Sequence, residues 1–493
     1  MQSRIIILIL CCFSWLLLPN ALEANDDLER QPQTFSPPES VSITLYRLDS
    51  EGAQIPPGIL CEPGDNFFGC TADPVFGGYP YATNPITVTL DTDYLLDVVS
   101  QEMKPTFGFS TTALKAQAVA ARSFVFFFDE FGLNITNDTE SNQAFLPYAF
   151  EALRSPTLKT QVEQAVNIER YISYNYTVSG ETLPIRAEYS SDIRLMTEDC
   201  DDAQGNPIPY HRAVDEPISS HPSVITFGNP CGMSQKGASR WAYGNLGFSN
   251  NLADWSTSFG RFEQILAHYY TGMHLRTTDS ATAIRTSEYR WNPLEFSWSP
   301  THTFQSGFLR LTPNTNYSGV MTVQNTSADV DGWECNALTD YRLVYTFSRQ
   351  NTDVEVGSES VCDIARGKSA AIPFSITTPN QEGAYSLRFD IHIRFNGTTI
   401  QRFSEDDSNG NSWNRYGIAA IVGSANEDSV FLPTITGGLT GGATLIPTSV
   451  GLESVSSDSA TLPDAIHIII LMLLAKIMIL TVVIMRNQFD RAV

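Results

Sequence analysis

From Val41 apolar and polar residues alternate through Ile43, Leu45 and Leu48, which predicts a strand with one buried face. Residues 49–85 are rich in Gly, Pro and Asn and read as a long loop that holds Cys61 and Cys70. Alternation returns over Ile86-Thr-Val88-Thr-Leu90. The period then changes. Leu95, Val98, Val99 and Met103 share one helical face, so Tyr94–Met103 predicts a short helix. Ser110 or Thr111 caps the next helix, which runs to about Phe128 with Leu114, Ala118, Ala121 and Val125 as its apolar stripe. Gln161–Arg170 predicts a further helix. Arg170–Tyr176 and Leu183–Tyr189 predict two strands joined at Ser179-Gly180-Glu181. Residues 192–224 are irregular, and Phe262–Tyr270 is a short helix. Residues 41–293 thus read as one mixed α+β domain.

From Leu294 the helical period disappears. Leu309–Leu311, Gly319–Gln324, Tyr341–Phe347, Ala371–Ile376 and Tyr385–Ile391 are short alternating runs, which predict an all-β sandwich over 294–423. The order Asn325, Trp333, Ala370-Ala-Ile-Pro-Phe374 and Gly383-Ala-Tyr-Ser-Leu387 resembles the tryptophan-marked immunoglobulin-like domain of autophagy cargo receptors and bacterial surface proteins. The resemblance bears on fold only. Trp333 and Trp413 are candidate core or rim aromatics.

The ends of the chain have their own patterns. Arg4, the apolar run Ile5–Leu18 and Ala21-Leu-Glu-Ala24 predict a signal peptide over 1–24. Residues 25–40 are polar and Pro-rich and are expected to be disordered. Residues 424–464 read as a flexible Gly/Ser/Thr stalk. Ala465–Met485 is apolar and long enough to span a bilayer, although Lys476 costs ~3 kcal/mol there. Arg486 and Arg491 put the tail, 486–493, in the cytoplasm. The expected location is the cell surface, with a single-pass anchor and the N-terminal part outside.

Charge narrows the partners. With 54 acidic against 30 basic residues the formal charge is −24, which argues against nucleic acid and anionic membrane surfaces. Cys11 and Cys12 leave with the signal, and six cysteines remain in an oxidising compartment. The economical pairing is Cys61–Cys70, Cys200–Cys231 and Cys335–Cys362. Six Asn-x-Ser/Thr sites, at Asn134, Asn137, Asn175, Asn316, Asn325 and Asn396, fit an exported chain.

Four segments carry the candidate chemistry. They are Glu102-Met-Lys-Pro with the helix through Lys115, Gln117 and Arg122, then Tyr189-Ser190-Ser191, Gly232-Met-Ser234-Gln235-Lys-Gly-Ala238, and His268-Tyr269-Tyr270. In this order they resemble the stage II sporulation protein D family, which includes the amidase-enhancer proteins of bacterial cell-wall turnover. The resemblance covers roughly 86–276. It implies a lytic transglycosylase acting on peptidoglycan strands stripped of their peptides. The family's catalytic acid precedes Met-x-Pro and so maps to Glu102. A lytic enzyme needs one carboxyl group, because the sugar's own C6 hydroxyl replaces water as nucleophile. Such a group must start protonated, which calls for desolvation. Lys115, Arg122, Ser190, Ser191, Ser234, Gln235 and Tyr269 are then candidate substrate contacts. Arg122 is equally a candidate for a buried ion pair, and Tyr269 for the core.

The chain also departs from the family pattern. Asn229 stands where the family has His, and Asp192-Ile193-Arg194 replaces a glycine pair. These departures keep a second reading open, a non-catalytic glycan-binding or amidase-stimulating protein. A third reading makes the sandwich an adhesin and the first domain a relic. No cofactor is required. Cys200, His211, His221 and Cys231 are donors of the types zinc takes, and some family members hold zinc near this site, but the spacing lacks a zinc knuckle. The expected partners are peptidoglycan or a related surface glycan, a cell-wall amidase, and the membrane through the C-terminal helix.

Overall fold

The computed structural model describes residues 35–423 apart from 50–53, 55–57, 73–77, 140–141, 176–181, 203, 229, 279–289, 300–308, 329–331, 350–351 and 406–415. The expected signal peptide, stalk and tail and the apolar run 465–485, with Trp413, Asn229 and the expected turn at 179–181, lie outside the described residues. Among the described residues no helix is long and apolar enough to cross a membrane.

In the first domain β1 (Ser40–Thr44) pairs antiparallel with β2 (Ile86–Thr89) and parallel with β3 (Ile135–Thr136). A second sheet has the order β10-β4-β5, with β4 (Arg170–Asn175) between β5 (Thr182–Pro184) and β10 (His274–Thr277). Two small ladders complete it. In one, β6 (Tyr189–Ser190) runs parallel to β9 (Met233–Ser234); in the other, β7 (Leu195–Met196) runs antiparallel to β8 (Asp215–Glu216). The helices are α1 (Leu95–Glu102), α2 (Thr111–Glu130), α3 (Pro156–Val166), α4 (Gln235–Tyr243) and α5 (Phe262–Tyr269).

Helix α2 is the axis of this domain. Ser110 caps it by accepting the Ala113 N–H at 3.0 Å, a bond worth about 1 kcal/mol. It packs against α1, α3, α4, α5 and β4. Such enclosure needs apolar residues all round rather than one stripe. Ala113, Ala116, Ala118, Ala120 and Ala121 are all fully buried, and their small side chains let these elements approach closely. The helix predicted over 161–170 instead runs Pro156–Val166, with proline at its start, where the missing N–H is harmless. The N-terminal boundary also differs. Phe35 is buried against Phe126 and Tyr171, with ring centroids 5.2 and 5.5 Å apart, so packing begins within the stretch 25–40 that was expected to be disordered.

The second domain is a β-sandwich. One sheet has the order β11 (Trp291–Ser299), β13 (Asn316–Asn325), β16 (Ser369–Thr377). The other has the order β12 (Leu309–Leu311), β19 (Tyr416–Val422), β17 (Gly383–Phe395), β14 (Thr339–Arg349), β15 (Thr352–Ser360), with β18 (Thr398–Arg402) on β17. Trp333 is buried in the core of this domain beside Phe403. All three expected disulfides form: Cys61–Cys70, Cys200–Cys231 and Cys335–Cys362.

A bulge in β11 joins the two domains. Register shifts between Pro293 and Glu295. Trp291 and Phe296 enter the sandwich core, whereas Leu294, at the bulge, packs into the core of the first domain. The Leu294 carbonyl then accepts from Trp255 Nε1 and Thr257 Oγ1, both at 2.9 Å.

Candidate active site

Glu102 is the last residue of α1 and Gln235 the first of α4, so one helix C-terminus meets another helix's N-terminus. Local sequence fixes both ends. Buried Met103 anchors the chain after Glu102, and Pro105 and Gly108, at φ 83°, turn it back toward α2. Ser234 caps α4 by accepting the Gly237 N–H at 3.0 Å, and it also accepts the Ile193 N–H at 3.1 Å.

The partly exposed Glu102 carboxyl has three donors. Oε1 accepts the Ala144 N–H at 2.6 Å and the Tyr189 hydroxyl at 3.5 Å. Oε2 accepts Gln235 Nε2 at 3.0 Å. Gln235 Nε2 also lies 3.4 Å from Gln117 Oε1. Among the described residues no cation pairs with Glu102, and the groups touching it include no second carboxylate. Burial pushes the Glu102 carboxyl above the usual range, and the bonds from Ala144, Gln235 and Tyr189 only partly oppose it. Burial, then the Glu102 charge, drives the Tyr189 phenol well above its ordinary value. A carboxyl raised in this way holds its proton more readily than an exposed one, as a group that donates a proton and takes one back requires.

The other sequence candidates divide. Ser190 pairs in register with Ser234, and the Ser191 carbonyl accepts the Lys236 N–H at 3.1 Å, so both serines lie at the end of β6 against the β9–α4 junction that carries Gln235. Lys115 is partly exposed on α2, two positions before Gln117. Arg122 is elsewhere. Its guanidinium is fully buried, ion-paired to Asp91 at 2.8 Å, and donates to the carbonyls of Val166, Ile168 and Arg170 at 2.7, 2.6 and 2.9 Å. Every one of these partners is structural, so Arg122 fastens α2 to the end of α3 and to β4 rather than meeting a substrate. Tyr269 is also buried, and its hydroxyl donates to Glu216 Oε1 at 2.7 Å behind α4.

Sequence reasoning placed Tyr189 and Gln117 in the candidate segments without giving either a contact, and it missed the Ala144 amide. Gln117 had a signal, because it is a polar residue inside an otherwise apolar helix face, and it is fully buried. The Ala144 amide had none, since any residue supplies a backbone N–H.

The departure at Asp192 is absorbed by the fold. Asp192 is buried and takes two bonds from Arg240, at 2.7 and 3.0 Å, so its charge is spent internally. The zinc alternative is corrected. Cys200 and Cys231 are bonded to each other, which removes both thiolates. His211 is buried, and desolvation with the nearby Arg186 charge lowers it to about 3. His221 is exposed and bonds Ser223. Among the described residues no cluster of three metal-ligating side chains occurs. Asn137 and Asn325, two of the six glycosylation sites, are fully buried. A groove of about 460 Å³ lies on the sandwich, between Ser297, Ser318, Glu359 and Ser375, and not at Glu102.

Comparison with known proteins agrees with the family resemblance over the first of the four segments. Residues 83–172 match the family model described as stage II sporulation protein, SpoIID. That span contains Glu102, Gln117, Arg122 and Ala144. The match is consistent with a role connected to the cell wall. No curated protein matches the chain. Among solved structures, a Niemann-Pick type C2 protein from Japanese carpenter ant is 8% identical, covering 28% of this chain and 95% of its own, with a TM-score of 0.19. The sporulation control protein Spo0M of Bacillus subtilis is 11% identical, covering 28% and 50%, with a TM-score of 0.16. At those scores the likeness carries no argument about this chain.

Proposed function

Because the chain carries a stage II sporulation protein family region over 83–172, we propose that it acts on cell-wall glycan as a lytic transglycosylase, with Glu102 as its single acid and base. The observation that carries this reading is the donor set of Glu102: one backbone N–H, one amide and one phenol, with no cation among the described residues. Neutral donors orient the carboxyl without holding it firmly ionised. The protonated group gives its proton to the bridging oxygen of the glycan. The sugar's C6 hydroxyl attacks the anomeric carbon, and the Glu102 carboxylate takes the hydroxyl proton. No water enters, and the product ends in an anhydro-muramyl residue. The substrate is peptidoglycan strand freed of peptide. Export, with an anchor at 465–485, would put the domain outside the cell.

The test is mass analysis of products from purified stripped strands. Wild-type protein should release anhydro-muramyl ends, and Glu102→Gln should release them at least ~10²-fold more slowly, the usual worth of a positioned acid or base. Equal release by the two would remove Glu102 from the reaction.

A second reading, an amidase-stimulating or glycan-binding protein without catalysis, draws on exposed apolar side chains. Leu195, Met196, Ile225 and Phe227 are 49–73% exposed on adjoining segments, since the Phe227 N–H donates to the Asp192 carbonyl at 2.9 Å. Retention of stripped strands without cleavage would favour it.

A further inference from the structure

The polar groups behind α4 form a second buried cluster, which the proposed reaction does not use. Its centre is Glu216, whose side chain is inaccessible to solvent. Oε1 accepts the Tyr269 hydroxyl at 2.7 Å and the Ser219 hydroxyl at 3.1 Å. Oε2 accepts Trp241 Nε1 at 3.0 Å and lies 2.8 Å from His268 Nε2. The other nitrogen of that ring, Nδ1, is 2.8 Å from Gln324 Oε1. Gln324 belongs to β13 of the sandwich. Its amide cannot turn freely, because Nε2 faces the carbonyls of His268 at 3.3 Å and Gly367 at 3.4 Å. Its oxygen is therefore the atom offered to the histidine.

This cluster bears on α4 at three points. Trp241 is bonded directly to Glu216. Gly237 leaves no room for a side chain, since a Cβ there would overlap the Glu216 carboxylate and the Tyr269 hydroxyl. Arg240 donates to Ser219 Oγ at 2.9 Å while holding Asp192. The first residue of the same nine-residue helix is Gln235, which donates to Glu102. An apolar contact lets a short helix slide or rotate. A fully bonded buried network gives it one setting, because each lost bond would strand a polar atom away from water.

We infer that Gln324, His268 and Glu216 form a positioning relay through which the sandwich sets α4 and thereby the bond from Gln235 to Glu102. The sandwich is then part of the site's frame, and Gln324 is a positioning residue reaching the site from another domain. The functional consequence rests on Glu102 as acid and base; the geometric coupling does not.

The experiment reads the coupling at Glu102 itself. Glutamate labelled with ¹³C at its side-chain carboxyl is incorporated into the full chain, and the Glu102 signal is assigned by its loss in Glu102→Gln. The Gln235 bond favours the ionised form, so loosening it should move the Glu102 titration midpoint upward in Gln324→Met. Gln324→Glu, which keeps an acceptor for His268, should restore part of the shift. A folded Gln324→Met protein with a lowered melting temperature and an unmoved Glu102 midpoint would overturn the relay and leave a structural joint. Should Gln324→Met not fold, Tyr269→Phe removes one donor to Glu216 with little change of shape, and its midpoint decides in the same way. A shifted midpoint in a protein that releases no anhydro product keeps the relay and discards the catalytic reading.

Discussion

Gln235 donates its side-chain amide to Glu102 at 3.0 Å from 133 positions further along the chain. The bond joins the end of α1 to the start of α4 and supplies one of the carboxyl's two nearer donors. An amide is a measured choice. A lysine or arginine there would hold the carboxyl ionised, and an apolar residue would leave it without orientation.

Glu102 should therefore weaken the fold at neutral pH. Its folded pKa is raised above the unfolded value of 4.5, mainly by burial. A group shifted in that direction contributes stability below pH 4.5 and loses it as pH rises through the folded pKa. Glu102→Gln, neutral throughout, should melt higher than wild type at pH 7, and the gap should close as pH falls toward 4.5. A gap that is independent of pH, read by thermal melts across that range, would contradict the assigned shift.

Arg122 should matter for stability and not for glycan contact. Arg122→Met leaves three carbonyls without their donor and Asp91 without its cation. The cost should be about 3 kcal/mol by urea denaturation, since each lost partner of a buried group costs ~1 kcal/mol or more. Retention of stripped strands by the folded variant should match wild type. Selective loss of retention at unchanged stability would return Arg122 to the list of substrate contacts.

Reductant should weaken the fold at the Cys200–Cys231 pair, and a chelator should not. The bond closes a separation of 31 residues. Cys200→Ser with Cys231→Ser should cost about 3–4 kcal/mol on the chain-entropy account. EDTA should leave the wild-type melting temperature where it was. A drop with EDTA and none with reductant would restore the zinc alternative.

Periodicity made much of this fold legible. Helix α2, strands β1, β2 and β4 and the middle strands of the sandwich all announce themselves by their apolar spacing. Where legibility failed, the pattern was hidden for a reason. Helix α4 has nine residues, with glycine where Glu216 presses in, so Gly-Met-Ser-Gln reads as a tight turn. Strand β11 is interrupted by Pro293 and a bulge. Strand β15 carries Asp353, Glu355 and Glu359 at the end of its sheet, with few apolar residues to alternate. The site was legible at Glu102 and Gln235, because both sit in short, unusual segments. It was not legible at Arg122, because helical spacing cannot say whether a charged residue turns to solvent or is pulled inward by carbonyls from other elements. The His268–Gln324 contact spans 56 residues and two domains, and no local pattern marks it.

The buried Asn137 carries a consequence for how the protein is made. Its side chain closes a small clasp, accepting the Tyr46 N–H at 2.8 Å and donating to the carbonyls of Tyr46 and Gly69 at 3.0 and 2.9 Å. An oligosaccharide attached to that nitrogen during synthesis would take away the donor and fill space the core occupies. Secretion through a pathway that decorates such asparagines would pit the modifying enzyme against folding at this residue, and equally at buried Asn325, whose Nδ2 donates to the Ile364 carbonyl at 2.8 Å.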